Sequence, residues 1–551
     1  MSRPFLTLLL LCSCTFLAGL GRQAVTDADE AYYAEASREM VESGDWLTPR
    51  FNYTDRWEKP VLYYWLTAAT YEAVGTSEWA ARLWSALSGF GLAFLTWAAA
   101  RRTGQRADAA WLAGAMAATS FGYMSMARQA LPDLPLAFCI TLGVWAALTA
   151  VDTQTPTRAA FGWWALAGLA AGAGFLMKGP VALVVPGVVL VPVWWFERAR
   201  QRPSLQGLAA AACVCLLIGL PWYIGMWVTH GTAYLNSFFV GDNLERFGTS
   251  RFNDARSMLF YLPILLGGLV PWSAYLATLP ARRVPVLAPH APRLDLWERR
   301  LVLWAAMPLL FFTLSVGKQP RYILPVLPPL ALLLAGSLSS RIQQAGRMPD
   351  VRLRWATWAT AVLLAAGSAA LLRMRPLLVS AVPLWAIAGA TLLGVCALAL
   401  AWIAESRRWG LLTRLLPASA VVLTFAVQLG ALSGVRPEPV EQIAALVRTN
   451  RASQEPVGLY GVFSRNLVFY TGVPQTPIFD QAQAVAFLRS AERVLLVTDT
   501  RRLPALMRDT GLELRVIGET RYLNAANVRL RTVLAPGSDD ALVTAVLVAN
   551  R

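Results

Sequence analysis

The chain has 551 residues, of which 56% are hydrophobic and 15% are charged, and its mean hydropathy is +0.46. Water-soluble domains rarely combine so much apolar with so little charged sequence, so this composition excludes an ordinary soluble enzyme. A net charge of +16 would suit a nucleic-acid partner. However, the basic residues form short clusters between apolar blocks, as in the cytoplasmic loops of multi-pass membrane proteins. We therefore expect a membrane protein with no nucleic-acid partner.

Apolar blocks of about twenty residues predict thirteen transmembrane helices, since that length crosses a hydrocarbon core of about 30 Å. The blocks are 4–20, 78–99, 108–126, 132–151, 161–176, 179–196, 207–228, 258–279, 300–316, 322–340, 355–372, 380–403 and 412–432. No small-residue cleavage site follows the first block, which is interpreted as an uncleaved signal anchor. With the N-terminus in the cytoplasm, alternation places the arginine clusters inside, as the positive-inside rule requires. These clusters are Arg101, Arg102 and Arg106; Arg198, Arg200 and Arg202; Arg282 and Arg283; Arg299 and Arg300; Arg352 and Arg354; Arg407 and Arg408.

Two domains are predicted. Residues 1–433 form a transmembrane domain whose first periplasmic loop spans 21–77. Residues 434–551 alternate a helix at 438–450 with short strands such as VGLYGVF, NLVFYTG and RVLLVTD, a pattern typical of a small α/β domain. The fold class is thus a multi-spanning α-helical membrane protein with a C-terminal periplasmic α/β domain. We expect a monomer in a bacterial inner membrane, with the C-terminal domain in a structural or substrate-capping role.

The first outer loop carries the most unusual polar sequence, TDADEAYYAEASREM. Asp27, Asp29 and Glu30 precede a helix that is predicted to lie along the membrane surface. Carboxylates at a helix start suit the helix dipole and can serve chemistry there. The alternative is an N-cap cluster without a catalytic role.

Basic residues next to aromatic residues follow in the same loop. Arg56, Glu58 and Lys59 stand beside Tyr63 and Tyr64. Basic groups at a membrane interface can hold a lipid phosphate, and the aromatic rings anchor the depth of the segment. The alternative is that these cations only extend their charged ends to the interface.

Ionisable residues recur at the other outer ends of the predicted helices. Asp133 and Lys178 interrupt nearly continuous apolar runs, where a charge costs about 2.5–3.5 kcal/mol at the centre of a span. The remaining members are Arg246, Lys318, Arg321 and Tyr322. Cations that hold a leaving phosphate and carboxylates that orient or deprotonate an acceptor are what transfer from a lipid phosphate requires.

These segments resemble a known family. DEAYYAEASREMVESGDW followed by EKP is similar to the first outer loop of the C-type glycosyltransferases, near the bacterial lipid A aminoarabinose transferases and the protein O-mannosyltransferases. MKGPVALVVP, ERF followed by YLPILLGGLVPW, and KQPRYILP follow in the family's order. The resemblance implies an inverting transferase at the periplasmic face. Its donor would be a polyprenyl-phosphate-linked sugar, and its acceptor lipid A or a related envelope glycolipid.

The resemblance also implies roles for residues. Asp29 and Asp133 match the catalytic carboxylates, and Lys59 matches the cation that holds the carrier phosphate. The expected substrate-binding residues are Glu30, Tyr32, Arg56, Glu58, Lys59, Lys178, Arg246, Lys318, Arg321 and Tyr322.

Two departures from the family pattern are present. Ala31 and Tyr32 stand where aminoarabinose transferases have Thr and Arg, and Asp254 stands near the place of a family His. No cofactor and no metal ligand are assigned. Glu58 is the remaining candidate ligand for a divalent metal.

Three other functions are open to such a chain. A protein O-mannosyltransferase-like enzyme would use the same donor chemistry with a protein acceptor. A lipid-linked sugar transporter or flippase typically has internal repeats and polar groups at the membrane midplane, whereas here the polar groups gather at one face. An O-antigen-type ligase would carry its largest polar loop late in the chain, whereas here the richest loop comes first.

Overall fold

The computed structural model describes residues 3–197, 202–245, 256–279, 295–345, 348–379, 382–433, 435–524, 527–536 and 541–551. Two residues singled out in the sequence, Arg246 and Asp254, lie outside the described residues. So do the arginines at 198, 200, 282 and 283.

The helices up to residue 433 account for most of the described chain. They are α1 Arg3–Cys12, α2 Asp29–Ser43, α3 Leu62–Val74, α4 Glu78–Arg102, α5 Ala107–Thr119, α6 Phe121–Ala127, α7 Asp133–Ala150, α8 Thr157–Lys178, α9 Val181–Phe196, α10 Leu205–Leu235, α11 Tyr261–Gly268, α12 Leu296–Leu314, α13 Leu327–Gln344, α14 Val351–Arg373, α15 Pro383–Ser406 and α16 Leu412–Val427.

Among the described residues, eight helical segments are long and apolar enough to cross a membrane. They are Glu78–Arg102, Asp133–Ala150, Thr157–Lys178, Leu205–Asn243, Pro320–Gln344, Val351–Arg373, Pro383–Ser406 and Trp409–Leu432. Shorter apolar helices lie at Arg3–Leu17, Val181–Phe196 and Met258–Gly268. A multi-pass helical membrane fold is therefore confirmed, while the number of thirteen spans stays a prediction.

One predicted span is broken. The block at 108–126 divides into α5 and α6 at Ser120, whose backbone is extended with ψ of 126°. The Ser120 hydroxyl donates to the Met116 carbonyl at 2.6 Å, so the helix ends with one of its last carbonyls satisfied.

Helix α8 packs closely against α10 through two glycines. A Cβ atom at Gly168 would lie 2.2 Å from the Ala211 carbonyl oxygen, and one at Gly172 would lie 2.8 Å from that of Cys215. This spacing of four residues is the small-residue pattern that lets membrane helices approach closely. The contact fixes α8 along its length and therefore fixes the position of its last residue, Lys178.

The C-terminal region contains a five-stranded mixed sheet. Its strands are β3 Val457–Tyr460, β4 Thr476–Ile478, β5 Leu495–Asp499, β6 Arg515–Leu523 and β7 Leu542–Ala549, in the order β4-β3-β5-β7-β6. The earlier strands β1 Arg50–Phe51 and β2 Thr54–Asp55 form a hairpin in the first loop. Helices Pro439–Asn450, Gln481–Leu488 and Leu503–Thr510 accompany the large sheet. The predicted helix at 438–450 and two of the predicted strands are found.

The predicted strand NLVFYTG is wrong. Leu467–Thr471 is a short helix that ends at Gly472, where φ is +65°. Four of its five residues are buried, so the apolar side chains of this run are removed from water by a short helix instead of a strand. Periodicity alone does not separate a short buried helix from a buried strand.

The first loop and the C-terminal region are joined by hydrogen bonds. The backbone N–H groups of Ser464 and Arg465 donate to the Asp27 carboxylate at 3.1 and 2.7 Å. The Val25 N–H donates to the Tyr470 hydroxyl at 2.7 Å. These contacts hold residues from distant parts of the sequence on one face of the helix bundle, called the cavity face below.

Helix α2, which is predicted to lie along the membrane surface, is largely enclosed by protein. Nine of its 15 residues are buried, including Tyr33, Ala34 and Met40. The helix packs on α3 and on the C-terminal region, so its apolar side chains are covered by protein. The amphipathic spacing was correct, but the partner of the apolar face is the protein itself.

A buried ion pair attaches the start of α2 to the membrane helices. Arg82 Nε lies 2.7 Å from Glu30 Oε1, and both side chains are 1% exposed. Arg82 also donates to the carbonyls of Leu20, Gln23 and Ala24. Glu30 in turn accepts from the Ala130 N–H at 2.9 Å. Because its charges are paired and its remaining hydrogen bonds are satisfied, this buried pair is stable despite its desolvation.

Removal of Arg82 is expected to destabilise the fold. In Arg82→Met the Glu30 carboxylate stays buried without its cation, which costs about 3–5 kcal/mol. The midpoint of thermal unfolding of the purified protein in detergent should fall clearly. The matched control is Arg354→Met, which removes an exposed ion pair with Glu405 and should leave the midpoint nearly unchanged. Equal midpoints for the two variants would contradict the structural role of the Glu30–Arg82 pair.

Candidate active site

A cavity of about 770 Å³ opens on the cavity face. One part of its wall is charged and the other apolar. The charged and polar residues are Asp29, Tyr32, Tyr33, Arg56, Glu58, Lys59, Asp133, Lys178, Asp242, Asn243, Ser315, Gln319, Arg321, Tyr322 and Arg465. The apolar residues include Leu136, Ile140, Val181, Val184, Phe239, Phe311 and Phe312. A cavity of this kind fits an amphiphile with a charged head.

Helix ends place the central charges. Asp29 and Asp133 are the first residues of α2 and α7, and Lys178 is the last residue of α8. The N-terminus of a helix favours a carboxylate and its C-terminus favours a cation. Gly179 ends α8 with a φ of +80°, a conformation that favours glycine, so the chain turns directly after Lys178.

These charges form a continuous chain of ion pairs. Arg321 binds the Asp29 carboxylate, and its Nε lies 3.3 Å from Asp133 Oδ1. Lys178 Nζ lies 2.5 Å from the same Asp133 oxygen. Asp29 is 48% exposed whereas Asp133 is 4% exposed. Asp29 is therefore the carboxylate that is open to a bound molecule, and Asp133 sits behind the two cations.

Asp29 is an ionised carboxylate at neutral pH. Burial raises its pKa, but the positive charge of Arg321 and the hydrogen bond from it lower the pKa, with further help from Lys178 and Arg465. The net result is a pKa below the ordinary value for Asp. A carboxylate of this kind stabilises positive charge well and is a weak base.

A second group of charges comes from the segment after the β1–β2 hairpin. Arg56 Nη1 lies 3.3 Å from Glu58 Oε2, and the Arg56 guanidinium lies 4.0 Å from the centre of the Tyr32 ring. Lys59 Nζ donates to the Glu58 carbonyl at 2.6 Å and lies 3.5 Å from Asp242 Oδ1. Lys59 and Asp242 thus form an ion pair in the cavity wall.

The apolar part of the wall is formed by α7, α9 and α12. Val184 on α9 lines the cavity and is 41% exposed. An acyl or prenyl chain can extend from the charged part along these side chains without exposing apolar surface to water.

Nine of the residues predicted from the sequence line this one cavity: Asp29, Tyr32, Arg56, Glu58, Lys59, Asp133, Lys178, Arg321 and Tyr322. The structure therefore brings together charges that are up to 293 positions apart in the chain. Two others lie outside the wall. Glu30 points to Arg82, and Lys318 Nζ donates to the Ser315 and Arg256 carbonyls at 2.6 and 3.3 Å. Arg246 lies outside the described residues.

The geometry gives Glu30 and Lys318 supporting positions instead of contact with a substrate. Glu30 is predicted to bind substrate because it follows Asp29 directly, but successive residues of a helix point in different directions. Lys318 is 4% exposed and holds the backbone of the turn that presents Gln319 and Arg321.

Sequence analysis missed several lining residues, notably Asp242, Asn243 and Arg465. Asp242 and Asn243 stand just before Arg246 in GDNLERF, where only the arginine was chosen. Arg465 lies in the C-terminal region, and nothing in its local sequence indicates a neighbour more than 400 positions earlier.

A resident metal ion would need several donor side chains close together. Within the described ranges, no three His, Cys, Asp or Glu side chains lie close enough to form a ligand set. Glu58, the candidate ligand, is paired with Arg56. The donor groups of the described residues therefore do not form a metal site.

Comparisons with known proteins agree with this geometry. The family model described as dolichyl-phosphate-mannose-protein mannosyltransferase matches residues 4–230. The undecaprenyl phosphate-α-4-amino-4-deoxy-L-arabinose arabinosyl transferase of Pseudomonas paraeruginosa is 34% identical over 339 residues, which cover 61% of this chain and 60% of that protein. A transferase of the same name from Pseudomonas fluorescens is 33% identical over 324 residues, covering 58% and 55%. The match thus spans less than two thirds of these relatives.

Solved structures match over a larger part of the chain. ArnT from Cupriavidus metallidurans bound to undecaprenyl phosphate has a TM-score of 0.75 and 25% identity, covering 99% of this chain and 98% of its own. An oligosaccharyltransferase from Archaeoglobus fulgidus has a TM-score of 0.51 at 11% identity, covering 92% and 71%, a likeness of fold alone. In sequence and in fold the chain is therefore similar to these aminoarabinose transferases.

Proposed function

We propose that this protein is an inverting glycosyltransferase that moves a sugar from a polyprenyl-phosphate carrier to lipid A or a related envelope glycolipid. The observation that carries the proposal is a cavity in which an apolar wall meets a cluster of cations and carboxylates. The match to an arabinosyl transferase and to a structure with bound undecaprenyl phosphate supports the same donor class.

The proposed location is the bacterial inner membrane with the cavity face in the periplasm. Helix α4 begins at Glu78, which pairs with Arg436 of the C-terminal region, and it ends at Arg101 and Arg102. Helix α14 likewise has Arg373 bound to the Leu534 carbonyl and has Arg352 at its opposite end. Because arginine-rich ends stay in the cytoplasm, this arrangement supports a periplasmic cavity and C-terminal region. In this proposal, residues 1–433 form the catalytic membrane domain and residues 434–551 cover it.

Donor binding uses both parts of the cavity. The prenyl chain lies along the apolar wall, which includes Val181 and Val184. Lys59, helped by Lys178, holds the phosphate and neutralises the charge that develops on it as it leaves. Asp133 supports this step indirectly, since it holds Lys178 and Arg321 in position.

The transfer is a single in-line displacement at the anomeric carbon of the sugar. As the bond to the carrier phosphate breaks, positive charge develops on the sugar ring, and the exposed Asp29 carboxylate stabilises it and orients the acceptor. The lowered pKa of Asp29 favours this electrostatic role. An acceptor phosphate is already ionised near neutral pH, so it needs no base, whereas a hydroxyl acceptor would give its proton to Asp29.

Asp29→Asn is expected to reduce sugar transfer by at least about 100-fold, because the charge that stabilises the transition state is lost. The assay follows radiolabelled sugar on undecaprenyl phosphate, incubated with purified protein and lipid A in detergent. The control is Asp55→Asn, which changes an exposed carboxylate of the same loop outside the cavity wall.

Normal turnover by Asp29→Asn would overturn the catalytic role of Asp29. The same assay separates an enzyme from a flippase, because an enzyme consumes the labelled donor whereas a flippase leaves the donor intact. Transfer of the label to protein instead of to lipid A would favour an O-mannosyltransferase-like activity.

Lys59→Met is expected to weaken binding of undecaprenyl phosphate on the order of tenfold or more, since a hydrogen bond to a charged group is lost. Binding is measured by native mass spectrometry over a series of lipid concentrations. Arg50→Met is the control, because Arg50 is a partly exposed cation of the same loop that pairs with Asp45 outside the cavity. Equal affinities of Lys59→Met and the unaltered protein would remove Lys59 from the phosphate site.

A further inference from the structure

The C-terminal region contributes one cation to the cavity. Arg465 follows β3, and its side chain lines the cavity beside Tyr32. Its Nε donates to the Tyr32 hydroxyl at 3.0 Å, and its guanidinium carbon lies 5.6 Å from the centre of the Tyr32 ring. Arg465 therefore stands next to the catalytic loop although it belongs to a different part of the chain.

Arg465 differs from the other cations of the wall in its electrostatic partners. Arg56, Lys59, Lys178 and Arg321 each lie near a carboxylate, with N–O distances of up to 3.5 Å. No carboxylate oxygen among the described residues forms an ion pair with the Arg465 guanidinium, whose hydrogen bonds go to the Tyr32 hydroxyl and the Asp27 carbonyl. The described wall residues comprise five cations and four carboxylates, and Arg465 accounts for the difference.

Hydrogen bonds to the first loop fix the backbone position of Arg465. The Asp27 carboxylate accepts hydrogen bonds from the backbone N–H groups of Ser464 and Arg465. The next residue, Asn466, donates from its side chain to the Val25 carbonyl at 2.8 Å and is buried. The backbone of Arg465 is thus fixed to the first loop, while its charged end is exposed.

We propose that Arg465 binds a phosphate group of the acceptor, so that the C-terminal region forms part of the acceptor site. This inference rests on the proposed glycosyltransferase function. The donor phosphate is assigned to Lys59 and Lys178, next to the apolar wall. Arg465 reaches the cavity from the C-terminal region and not from the helices of the apolar wall. A guanidinium presents paired N–H donors to a phosphate, and that of Arg465 is exposed and makes no direct ion pair with a carboxylate of the described residues.

The test compares acceptor kinetics for two variants of the full-length protein. Arg465→Gln is expected to raise the KM for diphosphoryl lipid A by about 10- to 100-fold, the range for loss of a hydrogen bond to a charged group. Arg465→Lys, which keeps the charge but not the paired donors, should give an intermediate KM. Monophosphoryl lipid A keeps one phosphate to receive the sugar but lacks the second one, which Arg465 would bind, so with this acceptor Arg465→Gln and the unaltered protein should have similar KM values.

The matched control is Arg502→Gln. Arg502 is also an arginine of the C-terminal region placed over a tyrosine ring, 4.0 Å from the centre of Tyr460, but it does not line the cavity. This variant should keep the KM of the unaltered protein. A normal KM for Arg502→Gln would show that removing an arginine from the C-terminal region does not by itself change acceptor binding.

The outcomes separate the inference from the proposed function. If the unaltered protein transfers sugar and Arg465→Gln has the same KM for diphosphoryl lipid A, Arg465 does not bind the acceptor although the enzyme activity stands. An equal rise in KM for diphosphoryl and monophosphoryl lipid A would give Arg465 a purely structural role. If the unaltered protein consumes no donor, the glycosyltransferase function fails, and the acceptor site fails with it.

Discussion

The geometry of the site depends on the buried ion pair between Glu30 and Arg82. This pair joins the first residues of α2 to α4, and its hydrogen bonds fix the segment that leads into α2. Asp29 directly precedes Glu30. Because the Glu30 side chain is held against Arg82 in the protein interior, the Asp29 side chain points to the cavity. Two adjacent carboxylates thus have different functions. One is enclosed and structural, and the other is exposed to the cavity.

The second constraint is that charges next to lipid must be neutralised. The chain from Asp29 through Arg321 and Asp133 to Lys178 contains two carboxylates and two cations in contact. Such a cluster can exist at the end of apolar helices because each charge has a partner, and Asp29, Asp133 and Lys178 also stand at favourable helix ends. A bound phosphate and a sugar that develops positive charge then meet partners of opposite sign that are already in place. In the proposed reaction, the cavity supplies position and electrostatics, which is what a displacement at a lipid phosphate needs.

Much of the catalytic side of this arrangement could be predicted from the sequence. Asp133 and Lys178 are conspicuous because they interrupt apolar helices, and the first loop is conspicuous because it is long and acidic. The roles of Glu30 and Lys318 could not be predicted in the same way, since their partners Arg82 and the Ser315 carbonyl are set by the packing of helices. Arg465 is a clearer case, because only tertiary contacts bring the C-terminal region to Tyr32. The short helix Leu467–Thr471 was mistaken for a strand because a buried apolar run of this length fits both structures.

One departure of the first loop from the family pattern, Tyr32, has defined contacts in the structure. Aminoarabinose transferases have an arginine where this chain has Tyr32, and in this structure Arg56 and Arg465 both lie against the Tyr32 ring. The hydroxyl and the ring of Tyr32 therefore position cations that come from elsewhere in the chain.

The most direct measurement of the central claim is a cryo-electron microscopy structure of the protein in lipid nanodiscs with undecaprenyl phosphate bound. The account predicts phosphate density within hydrogen-bonding distance of the Lys59 ammonium, about 3 Å, with the prenyl chain along Val181 and Val184. Phosphate density at the arginine-rich ends of the helices, or a prenyl chain that avoids the apolar wall, would contradict the account.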